Sequence, residues 1–125
     1  MVWNLACQRP GVFRAVVVHS GGGLANPTTC QPIPLLGSLG DNGDVAGNSQ
    51  KTQTDPFATW DGCTITTMPT ATSTQPHICT SYTGCPAADP VVWCSYYGGH
   101  TPSPTDPGKS TSWMPEEAWG FLNQF

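Results

Sequence analysis

Apolar residues are grouped in a few short runs, and long stretches rich in Gly, Pro, Ser and Thr separate them. Two runs of strand length lie at 13–19 and 33–39, and the first is β-branched and apolar almost throughout. Such continuity is typical of a strand buried on both faces, as in a parallel sheet. Residues 77–82 and 91–97 predict two further strands, with a turn at 84–90 between them.

Helical patterns flank these strands at both ends of the chain. Residues 1–9 predict the end of a helix, which Pro10-Gly11 stops. Pro115 suits the first turn of a closing helix. The apolar stripe of that helix consists of Ala118, Trp119, Leu122 and Phe125. We therefore expect Trp119 to lie in the core.

The order of these elements indicates an α/β domain, in which helices flank a sheet. Residues 45–58 give no clear pattern, and the Thr-rich stretch 64–75 is expected to be exposed. A length of 125 residues fits one domain. Two candidate parallel strands are nevertheless too few for a complete α/β sheet. We interpret residues 1–125 as one partial domain.

The charge content of the chain excludes two classes of partner. Charged residues make up 10% of the sequence, and the formal net charge is −4. The chain lacks the cluster of basic residues that would attract nucleic acid or an anionic membrane. No segment is long and apolar enough to cross a bilayer. We expect neither nucleic acid nor a membrane as a partner.

Six cysteines are present, and no two of them form a Cys-x-x-Cys pair. A zinc site would need irregularly spaced ligands drawn from His77, Cys79, Cys85, Cys94 and His100. Because structural zinc usually has close ligand pairs, disulfides in an oxidising compartment explain the cysteines better. Spacing alone leaves the disulfide pairing open.

Expected geometry favours one set of disulfides. Cys79 and Cys94 fall opposite each other if the two later strands pair. Cys7 and Cys30 bracket the first buried strand and can meet at its rim. The favoured pairs are Cys63–Cys85, Cys79–Cys94 and Cys7–Cys30.

Several short stretches, taken in order, resemble one family of secreted esterases. These stretches are Leu5–Pro10 (LACQRP), Phe13–Val16 (FRAV), Cys30–Pro34 (CQPIP), Trp60 with Gly62-Cys63, Cys79–Cys85 (CTSYTGC), Pro90–Cys94 (PVVWC), Gly98–Thr101 (GGHT) and Ala118–Leu122 (AWGFL). They resemble the α/β-hydrolase esterases that include feruloyl esterases, acetyl xylan esterases and polyhydroxybutyrate depolymerases. Their order and spacing carry the resemblance over nearly the whole chain.

This resemblance implies the C-terminal portion of an α/β-hydrolase fold, with an incomplete parallel sheet, flanking helices and disulfides. It implies a secreted serine esterase that hydrolyses a carboxylic ester by acyl transfer. The implied substrates are feruloyl or acetyl esters of the plant cell wall, or a polyhydroxyalkanoate. No metal or organic cofactor is implied.

His100 is the candidate general base, which then acts as general acid. A triad histidine needs a loop after a sheet strand, and Gly98-Gly99 gives this loop backbone freedom. The late position of His100 also fits the chain order Ser, Asp, His of the α/β hydrolases. Without the resemblance, His100 would read as a surface histidine in a Gly-rich turn.

The candidate acid follows the second strand, in the turn Gly40-Asp41-Asn42-Gly43-Asp44. The family pattern HG-x-x-D is one residue shorter than this stretch. Alignment from Pro34 puts Asp44 nearest the family's aspartate, with Asp41 as the alternative. At least one of the two is an ordinary turn aspartate.

The nucleophile is expected outside this sequence. Ser20 follows a strand, but the residue two positions before it is Val18 rather than the glycine of a nucleophile elbow, and a Gly-rich loop with Pro27 follows it. The Gly-x-Ser-x-Gly elbow is expected immediately upstream of Met1, so this chain alone is expected to be inactive. The alternative is a small disulfide-held extracellular binding module without catalysis.

Overall fold

The computed structural model describes residues 1–9, 11–21, 30–42 and 54–125. The helices are α1 (Val2–Gln8), α2 (Asp55–Trp60) and α3 (Met114–Leu122), and the strands are β1 (Val16–His19), β2 (Leu35–Gly40), β3 (Ile78–Ser81) and β4 (Val91–Tyr96). Within these residues the strands form one four-stranded sheet in the order β1-β2-β4-β3. β1, β2 and β4 run parallel, and β3 pairs antiparallel with β4. The predicted α/β class is confirmed, with a mixed sheet.

The helices cover both faces of this sheet. Alternate residues of a strand point to opposite faces, and β2 places Leu35 on one face and Leu36 on the other. Trp3 of α1 and Phe57 of α2 share a core cluster with Leu35, whereas Phe121 of α3 packs in the cluster that contains Leu36. All six positions of β2 are buried. The continuous burial that is typical of parallel strands is therefore present in β2.

The closing helix lies where the sequence predicts it, but only Ala118 and Phe125 of the predicted apolar stripe pack on the sheet. It begins with Pro115 in its first turn, as the sequence indicates. Trp119, expected in the core, is 69% exposed. The side chains that face the sheet are Met114, Ala118, Phe121 and Phe125. These residues follow one another at intervals of three or four, and Trp119 lies about 100° around the helix from that line.

The short helix α2 falls in a stretch for which the sequence gives no clear pattern. Pro56 lies in its first turn, and Phe57 and Ala58 are buried. A helix of six residues with two buried apolar side chains is too short for a periodic signal. In the Thr-rich stretch that follows, most residues are exposed as expected, but Met68 and Ala71 are buried.

Three disulfides connect the elements, and all three favoured pairings are confirmed. They are Cys7–Cys30, Cys63–Cys85 and Cys79–Cys94. Cys79 and Cys94 are direct partners in the β3–β4 register, as the predicted strand pair requires. Across the described part of the chain, no helix has the length and apolar character needed to cross a membrane.

Candidate functional site

The three parallel strands end at one edge of the sheet. β1 ends at His19, β2 at Gly40 and β4 at Tyr96, and His100 lies in the loop that follows β4. In open α/β sheets, ligands bind outside the carboxyl ends of the parallel strands. This edge is therefore the candidate functional site, and we call residues 97–101 the His100 loop.

The His100 loop rests directly on the turn after β2. A Cβ atom at Gly40 would lie 2.1 Å from the carbonyl oxygen of Gly98, so only glycine permits this approach. The backbone amide of Asn42 donates a 3.1 Å hydrogen bond to that same Gly98 oxygen. The amide of Asp41 donates to the carbonyl of Tyr96 at 2.9 Å. The structure thus places residues 40–42, the described start of that turn, directly against the His100 loop.

Two side chains hold the next carbonyl groups of this loop. The Tyr96 hydroxyl lies 2.8 Å from the carbonyl oxygen of Gly99. Nε2 of His19 lies 2.7 Å from the carbonyl oxygen of Thr101. The side chain of His100, between these two carbonyls, is exposed. The backbone of the loop is fixed while its imidazole side chain stays accessible.

The structure describes only one of the two candidate acids. Asp44 lies outside the described residues. Asp41 accepts a hydrogen bond from the hydroxyl of Ser95. Although much of Asp41 is exposed, its carboxyl group lies against the buried Ser95; burial raises the pKa of this carboxyl, and the Ser95 hydrogen bond offsets part of the rise. Asp41 therefore has a structural partner in the sheet.

Ser20 occupies an unusual backbone conformation at the end of β1. Its φ is +48°, the only positive φ of a non-glycine residue in the described ranges, and such values carry strain. Its side chain is buried, with Oγ 3.3 Å from the Tyr96 hydroxyl and 3.5 Å from Nε2 of His19. The Ser20 hydroxyl therefore lies between the side chains of Tyr96 and His19. The absence of a catalytic role for Ser20 stays a prediction.

A second histidine cluster ties β3 to α3. His77 lies 2.9 Å from Asp106 through Nδ1 and 3.4 Å from Glu117 through Nε2, and its ring stacks on Trp113 at 4.0 Å. Burial alone would raise the pKa of Asp106, but hydrogen bonds from the His77 amide and ring outweigh it and lower that pKa.

Among the residues that the structure describes, this cluster also tests whether His77 and Cys79 could bind zinc. His77, Cys79 and Glu117 place their ligand atoms within 4.8 Å of one another. The sulfur of Cys79 is bonded to Cys94, and a disulfide sulfur is not the thiolate that zinc requires. His77 therefore serves as a structural link between β3, the segment after β4 and α3.

Comparison with known proteins shows which proteins this chain is similar to. No protein-family model matches the chain. Feruloyl esterase D of Neurospora crassa is 30% identical over 132 residues, which cover 100% of this chain and 44% of that protein. Feruloyl esterase C of Emericella nidulans is 33% identical over 98% of this chain and 45% of its own length. A probable feruloyl esterase C of Aspergillus clavatus is 32% identical over 98% and 44%.

The chain is related to the feruloyl esterases. The esterase resemblance that the sequence motifs indicated is thereby confirmed, with feruloyl esterases as the matching members. The chain spans just under half the length of these feruloyl esterase relatives. Within that span the similarity covers the strands that end at the candidate site and the His100 loop.

The sequence motifs identified His100 but not the side chains that hold its loop. In the sequence, His19 ends the predicted strand 13–19, and Tyr96 is the last residue but one of the predicted strand 91–97. The sequence signal for these two side chains is their position near the end of a strand, because the carboxyl ends of parallel strands meet at one edge of the sheet. Which of them would reach the loop depends on the strand order, which the sequence did not determine.

Proposed function

We propose that this chain is the C-terminal portion of a secreted serine esterase of the α/β-hydrolase fold that hydrolyses feruloyl or acetyl esters of the plant cell wall. The names of its relatives favour the feruloyl ester. Three disulfides fit an oxidising, extracellular compartment. The relationship alone does not establish this activity, because the chain spans less than half the length of its relatives.

The observation that carries the proposal is the position of His100. Its imidazole is exposed on a loop held at the carboxyl ends of three parallel strands. In the proposed reaction, His100 takes the proton of a serine hydroxyl as the serine attacks the ester carbonyl, and then returns a proton to the leaving alkoxide. Asp44 accepts a hydrogen bond from the imidazole, orients the ring and stabilises its charged form.

We place the nucleophilic serine in a part of the enzyme outside these residues. The relatives extend well beyond the matched region, and β1 has a neighbour on one side only in the described sheet. An additional parallel strand beside β1 would end at the same edge as His100. A serine in the turn after that strand would face the candidate site.

A chimera tests this proposal. The part of Neurospora crassa feruloyl esterase D that precedes its matched region is joined to Met1 of this chain, and hydrolysis of methyl ferulate is measured. We expect turnover that His100→Ala lowers by about 10⁵-fold or more, because no other group in the proposed triad can take the serine proton. His77→Gln, in the separate histidine cluster, is the control and should remain active.

The proposal fails if the chimera hydrolyses methyl ferulate and His100→Ala leaves most of that activity. A chimera that folds but has no turnover contradicts the catalytic proposal and favours the binding module. The genomic sequence upstream of Met1 gives an independent check. An in-frame Gly-x-Ser-x-Gly supports the esterase, and a stop codon followed by a signal peptide supports the module.

A further inference from the structure

We propose that His19 is a positioning residue, which acts with Tyr96 to fix the backbone on both sides of His100. The inference rests on the proposed function, because it assigns His19 a role through the proposed catalytic histidine. It starts from the two contacts to carbonyl oxygens on either side of His100, one at Gly99 and one at Thr101.

Hydrogen-bond chemistry determines which nitrogen of His19 carries a proton. A carbonyl oxygen can only accept, so the 2.7 Å contact to Thr101 requires a proton on Nε2. In neutral His19, Nδ1 is then an acceptor, and the hydroxyl of Ser38 donates to it at 3.2 Å. The Thr101 carbonyl therefore selects the Nε2-protonated form of His19, and the Ser38 hydroxyl, which can donate or accept, is compatible with it.

The same reasoning orients the Tyr96 hydroxyl. Because the Gly99 carbonyl only accepts, Tyr96 donates to it at 2.8 Å. Its oxygen can then accept from Ser20 at 3.3 Å. Ser38 and Ser20 thus have equivalent roles. Each hydrogen-bonds to one of the two side chains, His19 and Tyr96, that donate to the His100 loop.

These donors are themselves held by the fold. Tyr96 and Ser38 are buried. The His19 ring packs against Tyr96, with centroids 5.7 Å apart, and against Trp113 at 6.3 Å. The amide of Asn42 donates to the Gly98 carbonyl, so the ends of β1 and β4 and the turn after β2 each supply one donor to the loop. A loop held at three points keeps His100 in place without covering its imidazole, as a preorganised catalytic group requires.

The first test is the tautomer of His19 in the oxidised 125-residue chain, at a concentration where it is monomeric. Long-range ¹H–¹⁵N correlation distinguishes a proton on Nε2 from one on Nδ1. We expect a proton on Nε2. A neutral ring with its proton on Nδ1 would have no donor for Thr101 and would overturn the proposal.

The second test measures the order of the loop by ¹⁵N relaxation. We expect the backbone order parameter of His100 to fall from about 0.85 to below about 0.6 in His19→Phe and in Tyr96→Phe. His19→Phe keeps an aromatic ring for packing but has no donor. His19→Gln retains an N–H near the position of Nε2 and should restore most of the order. Tyr97→Phe removes a hydroxyl from the exposed neighbouring tyrosine and should leave the loop unchanged.

Hydrogen exchange of the Asn42 amide gives a third readout, because this group donates to the loop but contacts neither substituted side chain in the bonds described. Its exchange should accelerate by about 10-fold in His19→Phe, with the far-UV spectrum unchanged. Unchanged order and exchange in both His19→Phe and Tyr96→Phe would overturn the proposal. Since none of these readouts needs turnover, their failure is distinguishable from failure of the esterase assignment.

Discussion

Two aspartates follow β2, and the contacts of one of them are explained without catalysis. The carboxylate of Asp41 accepts from Ser95, whose Oγ also accepts from the backbone amide of Ala71. Ser95 thus joins the turn after β2 to the Thr-rich segment. This bonding supports a structural part for Asp41 and leaves Asp44 as the proposed acid.

At this residue scale we predict opposite sensitivities of the two aspartates in the ferulate-hydrolysing chimera. Asp44→Asn should lower kcat by about 10⁴-fold, because the amide no longer stabilises the charged imidazole. Asp41→Asn should be mild, since an amide oxygen can still accept from Ser95. The kcat values of both variants for methyl ferulate decide between them. A severe Asp41→Asn with a mild Asp44→Asn would move the acid to Asp41.

At the scale of elements, α2 ends beside a buried carboxyl group. Asp61 caps this helix and is only 2% exposed. Neither of its carboxyl oxygens has a hydrogen-bond partner among the described residues. Burial raises the pKa of Asp61 to about 7; the nearby amide of Ile33 opposes this without reaching hydrogen-bond geometry, and the charge of Asp89 adds to it.

This pKa predicts a fall in stability as the pH rises. The folded chain binds more protons at Asp61 than the unfolded chain between 3.8 and about 7. Its contribution to stability is full below 3.8 and is lost as the pH rises through the folded pKa. We expect the free energy of unfolding of the wild-type chain to fall by on the order of 2 kcal/mol more than that of Asp61→Asn between about pH 5 and 8.

Urea unfolding at several pH values measures this difference. Asp89→Asn is the companion variant, because removal of its charge should lower the Asp61 pKa and shrink the pH dependence without abolishing it. Parallel pH profiles for the wild type and Asp61→Asn would contradict the assignment of the effect to Asp61.

At the scale of the whole molecule, the sheet has an open edge at β1. In the described sheet β1 pairs only with β2, and alternate backbone groups of a parallel edge strand point away from its neighbour. Beside this edge lies an apolar groove, whose lining includes Val2, Leu5, Phe13, Val17 and Leu122. Open edges next to apolar surface promote strand pairing between copies.

We therefore predict that the isolated chain self-associates through β1. Sedimentation velocity should show species larger than the monomer at about 100 μM, and Val17→Lys should restore the monomer because a lysine on an edge strand opposes pairing. Val12→Lys is the matched control at an exposed valine that does not line the groove, and it should behave as wild type. Equal loss of association in both variants would indicate a general charge effect instead.

Several features of this protein were determined by local sequence. The four strands, both terminal helices and the Cys79–Cys94 pair follow from apolar runs, turn residues and the spacing of neighbouring segments. These signals extend over a few residues, so a single sequence contains them. A short motif around His100 made it a candidate, and the catalytic roles of His100 and Asp44 both stay predictions.

The tertiary structure alone decided which side chains serve the candidate site. The sheet order β1-β2-β4-β3 brings His19 to Thr101, 82 positions later in the chain, and no periodicity encodes a contact of that separation. It also turned Trp119 outward, because the line of α3 that packs on the sheet passes through Phe121. A local pattern can specify an element and its apolar residues, but the neighbours of those residues depend on how all the elements pack together.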